Sequence, residues 1–202
     1  MNLIGRDREL AFVRDRLSAG ENLAVVGPPG VGKTTLVRAA LPDALYCADA
    51  STLKAACESL GVHATDNVQR KRAVLNAVGK TATFIFDHIE YVSPKLLSLL
   101  DIIHERHPMV VVARDLAWKV TGHLKMILWD FEVLELTALP EAAARQLLRE
   151  KAGNLEPRLQ RDLLRLAHGN PGRIIELCEQ ARRHHYTSAR LLEIDRRIRQ
   201  LS

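Results

Sequence analysis

The chain has 202 residues, of which 47% are hydrophobic, 26% are charged and 4% are aromatic. This length suits one medium domain or one domain with a small addition. The composition excludes a wholly disordered or low-complexity chain. The net charge of +5 arises largely at the C-terminal end, where residues 181–202 hold six arginines against two acidic residues.

Features of membrane and secreted proteins are absent from the sequence. No apolar run approaches the roughly 20 residues that a membrane-spanning helix needs. The first ten residues carry charges where a secretory signal needs an apolar core. Cys47, Cys57 and Cys178 show no CxxC spacing, which favours a reducing compartment over a disulfide framework. The sequence therefore predicts a cytoplasmic protein with no membrane contact.

Hydrophobic periodicity predicts helices alternating with short buried strands through the first two thirds of the chain. In chain order, the predicted elements are helix 6–17, strand 23–26, helix 34–40, strand 44–47, helices 51–60 and 67–78, strand 83–86, helix 94–104 and strands 109–113 and 131–136. Beyond Pro140 the pattern predicts only helices, at 141–152, 157–168, 172–184 and 188–200. We therefore predict an α/β fold, with a parallel sheet and flanking helices in residues 1–137 and a small all-α lid bundle in residues 138–202.

A phosphate-binding pattern lies between the strand at 23–26 and the helix at 34–40. The letters GPPGVGKT fit G-x-x-x-x-G-K-[ST] at every fixed position, in the strand–loop–helix context that the pattern requires. The backbone amides of such a P-loop face phosphate oxygens, Lys33 reaches the β- and γ-phosphates, and the Thr34 hydroxyl ligates magnesium. The predicted nucleotide-binding residues of the loop are Gly27, Pro28, Pro29, Gly30, Val31, Gly32, Lys33, Thr34 and Thr35.

Asp87 follows the predicted strand at 83–86, at the edge of the sheet where ligands bind in such folds. We predict that it holds the magnesium shell together with Thr34, with a strand-end cap as the alternative. The sequence leaves two roles open for Glu90: orienting an attacking water, or facing solvent. His88 is a weaker candidate for a catalytic base than for a polar loop residue.

Two arginines occupy positions that suit contact with phosphate. Arg114 follows the strand at 109–113, and it either touches the γ-phosphate or pairs with an acid such as Asp115. Arg173 lies in the first turn of a predicted helix, where the helix dipole disfavours a positive charge. A phosphate contact and an ordinary solvated side chain remain the two readings of Arg173.

Together these residues resemble the AAA+ superfamily and the related STAND ATPases. The resemblance covers the segment LIGRDREL at 3–10, the loop GPPGVGKTT, the strands FIFD and VVVARD, and the turn GNPGR. It implies a P-loop NTPase sheet that binds ATP and Mg²⁺. The residues that it implies against the nucleotide, besides the loop, are Ile4, Gly5 and Arg6 near adenine and Pro171 and Arg173 in the lid. The residues that it implies in catalysis are Lys33, Asp87, Glu90, Arg114 and Arg173.

The sequence also departs from the pattern of this superfamily. Many of its ATPases place a glutamate directly after the strand-end aspartate, where this chain has His88, so we expect slow hydrolysis. An arginine finger has no clear counterpart. Lys119 and Lys125 are the two basic residues, histidine aside, between Arg114 and Phe131, and either is a weak candidate for that role.

The resemblance to initiator-like and transposition-associated members implies an ATP-dependent factor that forms a homo-oligomer and acts with DNA. The basic C-terminal helix is the candidate DNA surface, because Arg183, Arg190 and Arg197 are spaced by seven and fall roughly on one face. The alternative is a STAND-type switch, in which ADP and ATP set contact with a protein partner. A metabolic kinase with the same loop fits the C-terminal helices less well.

Overall fold

The computed structural model describes residues 3–76 and 82–184, and within them it shows an α/β fold. The strands are β1 (Asn22–Val26), β2 (Leu45–Cys47), β3 (Phe84–Ile89), β4 (Met109–Ala113) and β5 (Phe131–Glu135). The helices are α1 (Asp7–Ser18), α2 (Lys33–Ala40), α3 (Leu53–Ser59), α4 (Asn67–Asn76), α5 (Pro94–His104), α6 (Trp118–Thr121), α7 (Glu141–Ala152), α8 (Pro157–Ala167) and α9 (Pro171–Arg183). Two short 3₁₀ helices cover His123–Met126 and Leu128–Asp130.

The sheet has five strands in the order β2-β3-β4-β1-β5, and every described pairing is parallel. Every residue of β1 and β4 is buried. This burial explains why both strands appear in the sequence as short continuous apolar runs rather than as alternating patterns. The predicted parallel sheet with flanking helices, followed by helices at the C-terminal end, is confirmed.

Strand β3 runs further than its sequence predicts. The predicted strand ends before Asp87, but β3 continues to Ile89, so Asp87 lies within the strand. Regular pairing with β4 ends at Phe86, the register then shifts, and Ile89 pairs with Ala113. His88 has a φ of 53° in this irregular part, a left-handed conformation that is uncommon for a residue other than glycine. The buried Ile89 side chain accounts for the extension, since it returns the strand to the core after the irregularity.

Local sequence explains several helix starts. The Thr52 side chain caps α3, and the Ser93 side chain caps α5, which opens with Pro94. The predicted and observed ends of most described helices differ by one or two residues. The short helices between 118 and 130 were not predicted. The predicted helix 188–200 and the last two residues of the predicted helix 67–78 lie outside the described residues.

The chain divides into two compact units. The sheet unit comprises Arg6–Pro28 and Lys33–Leu136, and the helical unit comprises 3–5, Pro29–Gly32 and 137–184 among the described residues. The contiguous domains predicted at 1–137 and 138–202 do not include this exchange of short segments. The domain boundary itself stays a prediction.

Each unit has its own hydrophobic core. In the sheet unit, the strands pack with the helices through large side chains such as Phe84, Phe86 and Leu99. In the helical unit, the buried stripe of α8 is formed by Leu159, Leu163 and Ala167, at the four-residue spacing of an amphipathic helix.

Both tryptophans lie in the sheet unit and are accessible to solvent. Trp118 is 48% exposed and Trp129 is 80% exposed. The three cysteines, by contrast, are buried. No helix among the described residues is long and apolar enough to cross a membrane.

Candidate functional site

The loop after β1 is fixed at its start to the neighbouring strand. The Gly27 amide donates to the Arg114 carbonyl at 3.2 Å, just beyond β4. Lys33, the first residue of α2, donates from Nζ to the Gly27 carbonyl at 2.7 Å and to the Pro28 carbonyl at 3.1 Å. The lysine ammonium therefore lies against the first two residues of the loop.

Lys33, Asp87 and Arg114 form one electrostatic group in the sheet unit. Burial lowers the pKa of Lys33, the Asp87 carboxylate opposes this shift, and the Arg114 guanidinium adds to it. Asp87 lies on β3, Arg114 follows β4, and Lys33 begins the helix after β1; these three strands are neighbours in the sheet. The structure thus brings together three of the residues that the sequence singled out for phosphate chemistry.

The Asp87 carboxylate is 1% exposed, and both of its oxygens accept hydrogen bonds. Oδ2 accepts from the Tyr46 hydroxyl at 2.7 Å, and Oδ1 accepts from the His88 backbone amide at 2.8 Å. The exposed imidazole of His88 has its Nε2 3.9 Å from Oδ2. A buried carboxylate needs such donors, because removing an ionised group from water without them is costly.

Tyr46 was not singled out by its sequence. It lies on β2 opposite Ile85 of β3, so it shares a face of the sheet with Asp87, two residues further along. The Arg38 guanidinium lies 5.0 Å from the centre of its ring. Burial, followed by the hydrogen bond to Asp87, raises the pKa of Tyr46 to about 12. Tyr46 could have been identified only from the β2–β3 register, and the amino-acid sequence does not reveal that register.

The tip of the P-loop, residues 29–32, belongs to the helical unit and is bonded to the turn before α9. Asn170 donates from Nδ2 to the Pro29 carbonyl at 2.9 Å, and the Gly172 amide donates to the Gly30 carbonyl at 2.8 Å. Glycine is needed at position 172, because a Cβ there would lie 2.9 Å from the Gly30 Cα and carbonyl oxygen. Gly30 has a φ of +76°, and a Cβ on it would lie 2.8 Å from Asn170 Oδ1. The contact therefore depends on glycines in both partners.

Arg173 lies in the first turn of α9, as predicted. Its backbone amide donates to Asn170 Oδ1 at 3.1 Å, so Asn170 caps the helix and also holds the loop tip. The Nε atom of Arg173 is buried and has no hydrogen-bond partner in the part of the chain that the structure describes. Pro171 is the first residue of α9.

The residues predicted near adenine divide between the two units. Ile4 packs against the core of the helical unit, and a Cβ on Gly5 would overlap the Ala143 side chain of that unit. Arg6 belongs to the sheet unit, is 5% exposed and pairs with Glu9 at 2.7 Å.

The remaining predicted residues have separate surroundings. Thr34 and Thr35 lie in the first turn of α2, and Val31 is buried. Glu90 is exposed just after β3, and Lys119 is exposed on α6. Lys125 donates to the Leu116 carbonyl at 3.2 Å. Arg183 ends α9 and is exposed, while Arg190 and Arg197 lie outside the described residues.

The oxygen donors of the sheet unit fit magnesium. Within the described residues no three His, Cys, Asp or Glu side chains group into a metal cage. A threonine hydroxyl and one carboxylate are instead the kind of donor set that shares Mg²⁺ with substrate phosphates. Thr34 and Asp87 are the side chains that would hold it.

Three solved structures show the same fold at low sequence identity. ORC1 from Aeropyrum pernix, in complex with DNA, superposes with a TM-score of 0.69 at 18% identity and covers 93% of this chain and 63% of that one. A STAND protein with a tetratricopeptide repeat sensor from Pyrococcus horikoshii gives 0.52 at 19% identity, over 84% of this chain and 28% of that one. A katanin structure, from a study of its self-assembly, gives 0.63 at 13% identity, over 89% of this chain and 68% of that one.

Sequence comparison adds a curated relative and a family model. The Holliday junction branch migration complex subunit RuvB of Treponema pallidum is 29% identical over 96 residues. This match covers 48% of the present chain and only 25% of that subunit. Residues 2–129 match the model of the AAA ATPase domain. Because this match spans more than half of the chain, and the fold carries the phosphate-binding pattern between β1 and α2, the chain belongs to the AAA ATPase domain family.

Proposed function

We propose that this chain binds ATP with Mg²⁺, hydrolyses ATP slowly, and uses nucleotide binding to assemble with DNA. The observation that carries the nucleotide chemistry is the group of Lys33, Asp87 and Arg114 beside the loop that follows β1. Two cations and one buried carboxylate beside the P-loop suit a magnesium-bound triphosphate.

Each residue of the group has its own proposed task. Lys33 places its charge on the β- and γ-phosphates, while Thr34 and Asp87 hold the magnesium ion. The ion, when bound, neutralises phosphate charge and polarises the phosphoryl group. Arg114 contacts the γ-phosphate. An oxyanion would give the buried Nε of Arg173 a partner, which supports a phosphate contact for that residue.

The attacking water has two candidate partners after β3. Glu90 is exposed and free of the strand pairing, while His88 is held beside Asp87 by the irregular backbone. The proposed turnover is slow because His88, and not a glutamate, directly follows Asp87. Ile4, Gly5, Arg6 and Pro171 remain proposed nucleotide contacts.

Action with DNA draws its support from charge and from relatives. Residues 181–202 are strongly basic, and Arg182 and Arg183 of this segment are exposed at the end of α9. Clustered arginines favour salt-dependent contact with phosphates of a duplex. The ORC1 structure contains DNA, and the RuvB relative belongs to a Holliday junction complex. We propose that the assembled form is a homo-oligomer.

The deciding experiment measures ATP turnover with and without duplex DNA, together with sedimentation of the same samples. DNA should raise turnover and drive assembly only when ATP is present, and Lys33→Ala should abolish both responses. The double variant Arg190→Ala/Arg197→Ala should weaken the DNA response. The matched pair Arg161→Ala/Arg165→Ala, which removes two exposed arginines of α8, should leave it unchanged. If DNA alters neither turnover nor sedimentation, the DNA proposal is wrong.

A nucleotide-dependent switch acting on a protein partner is the second candidate. The bonds from Asn170 and Gly172 to the loop tip favour it, because nucleotide bound at the loop would bear directly on the turn before α9. This function predicts that Asn170→Ala changes the ratio of ADP to ATP affinity, measured by calorimetry. An unchanged ratio would remove the observation that supports the switch.

A further inference from the structure

Tyr46 reaches the Asp87 carboxylate from the neighbouring edge strand. In the β2–β3 ladder Tyr46 is opposite Ile85, and Asp87 follows Ile85 by two residues on the same face. The tyrosine hydroxyl accordingly donates to Asp87 Oδ2 at 2.7 Å.

This hydrogen bond fixes the plane of the carboxylate. The His88 amide already donates to Oδ1 at 2.8 Å, so one donor binds each oxygen. A carboxylate offers about four lone-pair sites, and two donors leave acceptor sites for a metal ion or its water ligands. The backbone amide comes from the adjacent residue, whereas Tyr46 belongs to a different strand and ties the carboxylate to the sheet.

Tyr46 is itself held from the helix that follows the P-loop. The Arg38 guanidinium lies 5.0 Å from the ring centre, within the range of a cation–π contact. Arg38 is in the last turn of α2, which begins with Lys33. The α2 helix, the tyrosine ring and the Asp87 carboxylate therefore form one continuous set of contacts in the sheet unit.

We propose that Tyr46 is a positioning residue, which orients the Asp87 carboxylate toward magnesium bound with ATP, and that Arg38 supports it. The inference rests on the proposed nucleotide function of the chain. Tyr46 acts through Asp87 and contributes no ligand of its own. A purely structural tyrosine would affect folding without changing how ATP binding depends on magnesium, and this difference gives the test.

The experiment uses the full chain and the fluorescent analogue mant-ATP as probe. Its affinity is measured in EDTA and then across a magnesium titration, for the wild type and for Tyr46→Phe. Groups that orient metal ligands typically change metal affinity about 10- to 100-fold when removed. We expect the half-saturating magnesium concentration to rise about 10-fold in Tyr46→Phe, with unchanged affinity in EDTA. Tyr91→Phe, which alters an exposed tyrosine of the same unit, should match the wild type.

A double variant tests whether Tyr46 works through Asp87. In an Asp87→Asn background the tyrosine has no carboxylate to orient, so adding Tyr46→Phe should cause no further change in the magnesium dependence. Thermal melting of each variant separates loss of folding from loss of metal response. Should Tyr46→Phe melt below the assay temperature, Arg38→Gln decides, since it keeps the hydroxyl and should shift the magnesium midpoint in the same direction.

The outcomes distinguish this inference from the function on which it rests. If the mant-ATP affinity of the wild type does not depend on magnesium, both the proposed function and the role of Tyr46 are overturned. A wild type that responds, with a folded Tyr46→Phe variant that responds identically, overturns the role of Tyr46 alone. An equal shift from Tyr46→Phe in the Asp87→Asn background also overturns it, because the tyrosine would then act by another route.

Discussion

The two units of this chain differ in what they bury. The sheet unit buries polar and charged side chains, namely Arg6, Asn22, Asp87 and Thr121, whereas every buried side chain identified in the described part of the helical unit is apolar. Burial of a charge lowers stability unless hydrogen bonds compensate it. The sheet unit therefore carries chemistry inside its fold, at some cost to its stability. The helical unit holds the tip of the P-loop through the turn at 168–173 and has an apolar core.

Substitutions should therefore act differently in the two units. In the sheet unit, loss of a buried polar residue should affect the nucleotide chemistry at Asp87 and the free energy of unfolding at Asn22. In the helical unit the core residues should matter for folding, and the turn at 168–173 for nucleotide response.

Removing the charge of Lys33 or of Asp87 should nearly abolish ATP turnover. We expect Lys33→Ala and Asp87→Asn each to lower ATP hydrolysis about 10²- to 10³-fold, as does loss of a preorganised electrostatic contact in other active sites. Steady-state phosphate release measures the loss. Lys54→Ala removes an exposed lysine paired with Glu58 and should leave turnover unchanged. Full activity of Asp87→Asn would show that the buried carboxylate is not needed for ATP hydrolysis.

Truncation of a core leucine should unfold the helical unit first. Leu163 on α8 is fully buried, so Leu163→Ala should lower the free energy of unfolding by about 3 kcal/mol, through lost transfer energy and a cavity. Urea unfolding followed by far-UV circular dichroism measures the change. Val68→Ala, at an exposed position of α4, is the control. A loss below about 1 kcal/mol would mean that this core collapses around the gap.

Asn22 should matter for stability because it joins three parts of the sheet unit. Its Nδ2 donates to the His104 carbonyl at 3.2 Å and to Asp130 Oδ2 at 2.9 Å, and its Oδ1 accepts from the Met109 amide at 3.0 Å. Asn22→Ala leaves these groups without their partner, which should cost about 2 kcal/mol in urea unfolding.

The control for Asn22 is Asn76→Ala, at an exposed position of α4. Equal stability of the two variants would show that water replaces the lost bonds. The hydrogen bonds of the buried Asn22 side chain would then contribute little to the stability of the sheet unit.

The labelling rates of two buried thiols report how readily each unit unfolds locally. Burial raises the pKa of Cys47, in the sheet unit, and of Cys178, in the helical unit, to about 11. Variants that keep only one of these cysteines should react slowly with a thiol reagent at pH 8, because the thiolate is the nucleophile. We expect Cys178 to react a few-fold faster, since the helical unit is the smaller one and a small unit buries a smaller share of its surface. Faster labelling of Cys47 would reverse that order.

The same thiols give a pH dependence of stability. The folded state keeps a proton on each thiol that the unfolded chain loses near pH 9. Stability should therefore fall as pH rises from about 9 to about 11, and replacing both cysteines by alanine should make this part of the curve less steep. Thermal melts across that range measure the slope.

Sequence patterns were sufficient for the sheet and most helices, because β1 and β4 are uninterrupted apolar runs between clear turn signals. They were insufficient at β3, where the exposed His88 hides the return of Ile89 to the core. The short helices at 118–130 show no periodicity long enough to recognise. The boundaries of α5 and α7 were accurate because Pro94 and Pro140 mark their starts.

The candidate site was predictable as a set of motifs but not as a set of contacts. The loop letters and Asp87 stand out by type and spacing. Tyr46 does not, because its role depends on a strand register set by the whole sheet. Asn170 likewise caps a helix in sequence terms, while its bond to the Pro29 carbonyl joins residues 141 positions apart. The functional roles of all these residues stay predictions.

The positions of Trp118 and Trp129 create an optical signal for one unit alone. Residues 137–202 hold no tryptophan, so indole emission excited near 295 nm comes entirely from the sheet unit. Because both indoles already meet solvent, their emission maximum should shift little when the unit unfolds and more strongly when another molecule covers them. Intrinsic fluorescence would thus serve as a label-free sensor of assembly at this surface, with far-UV dichroism left to follow the folding of the helices.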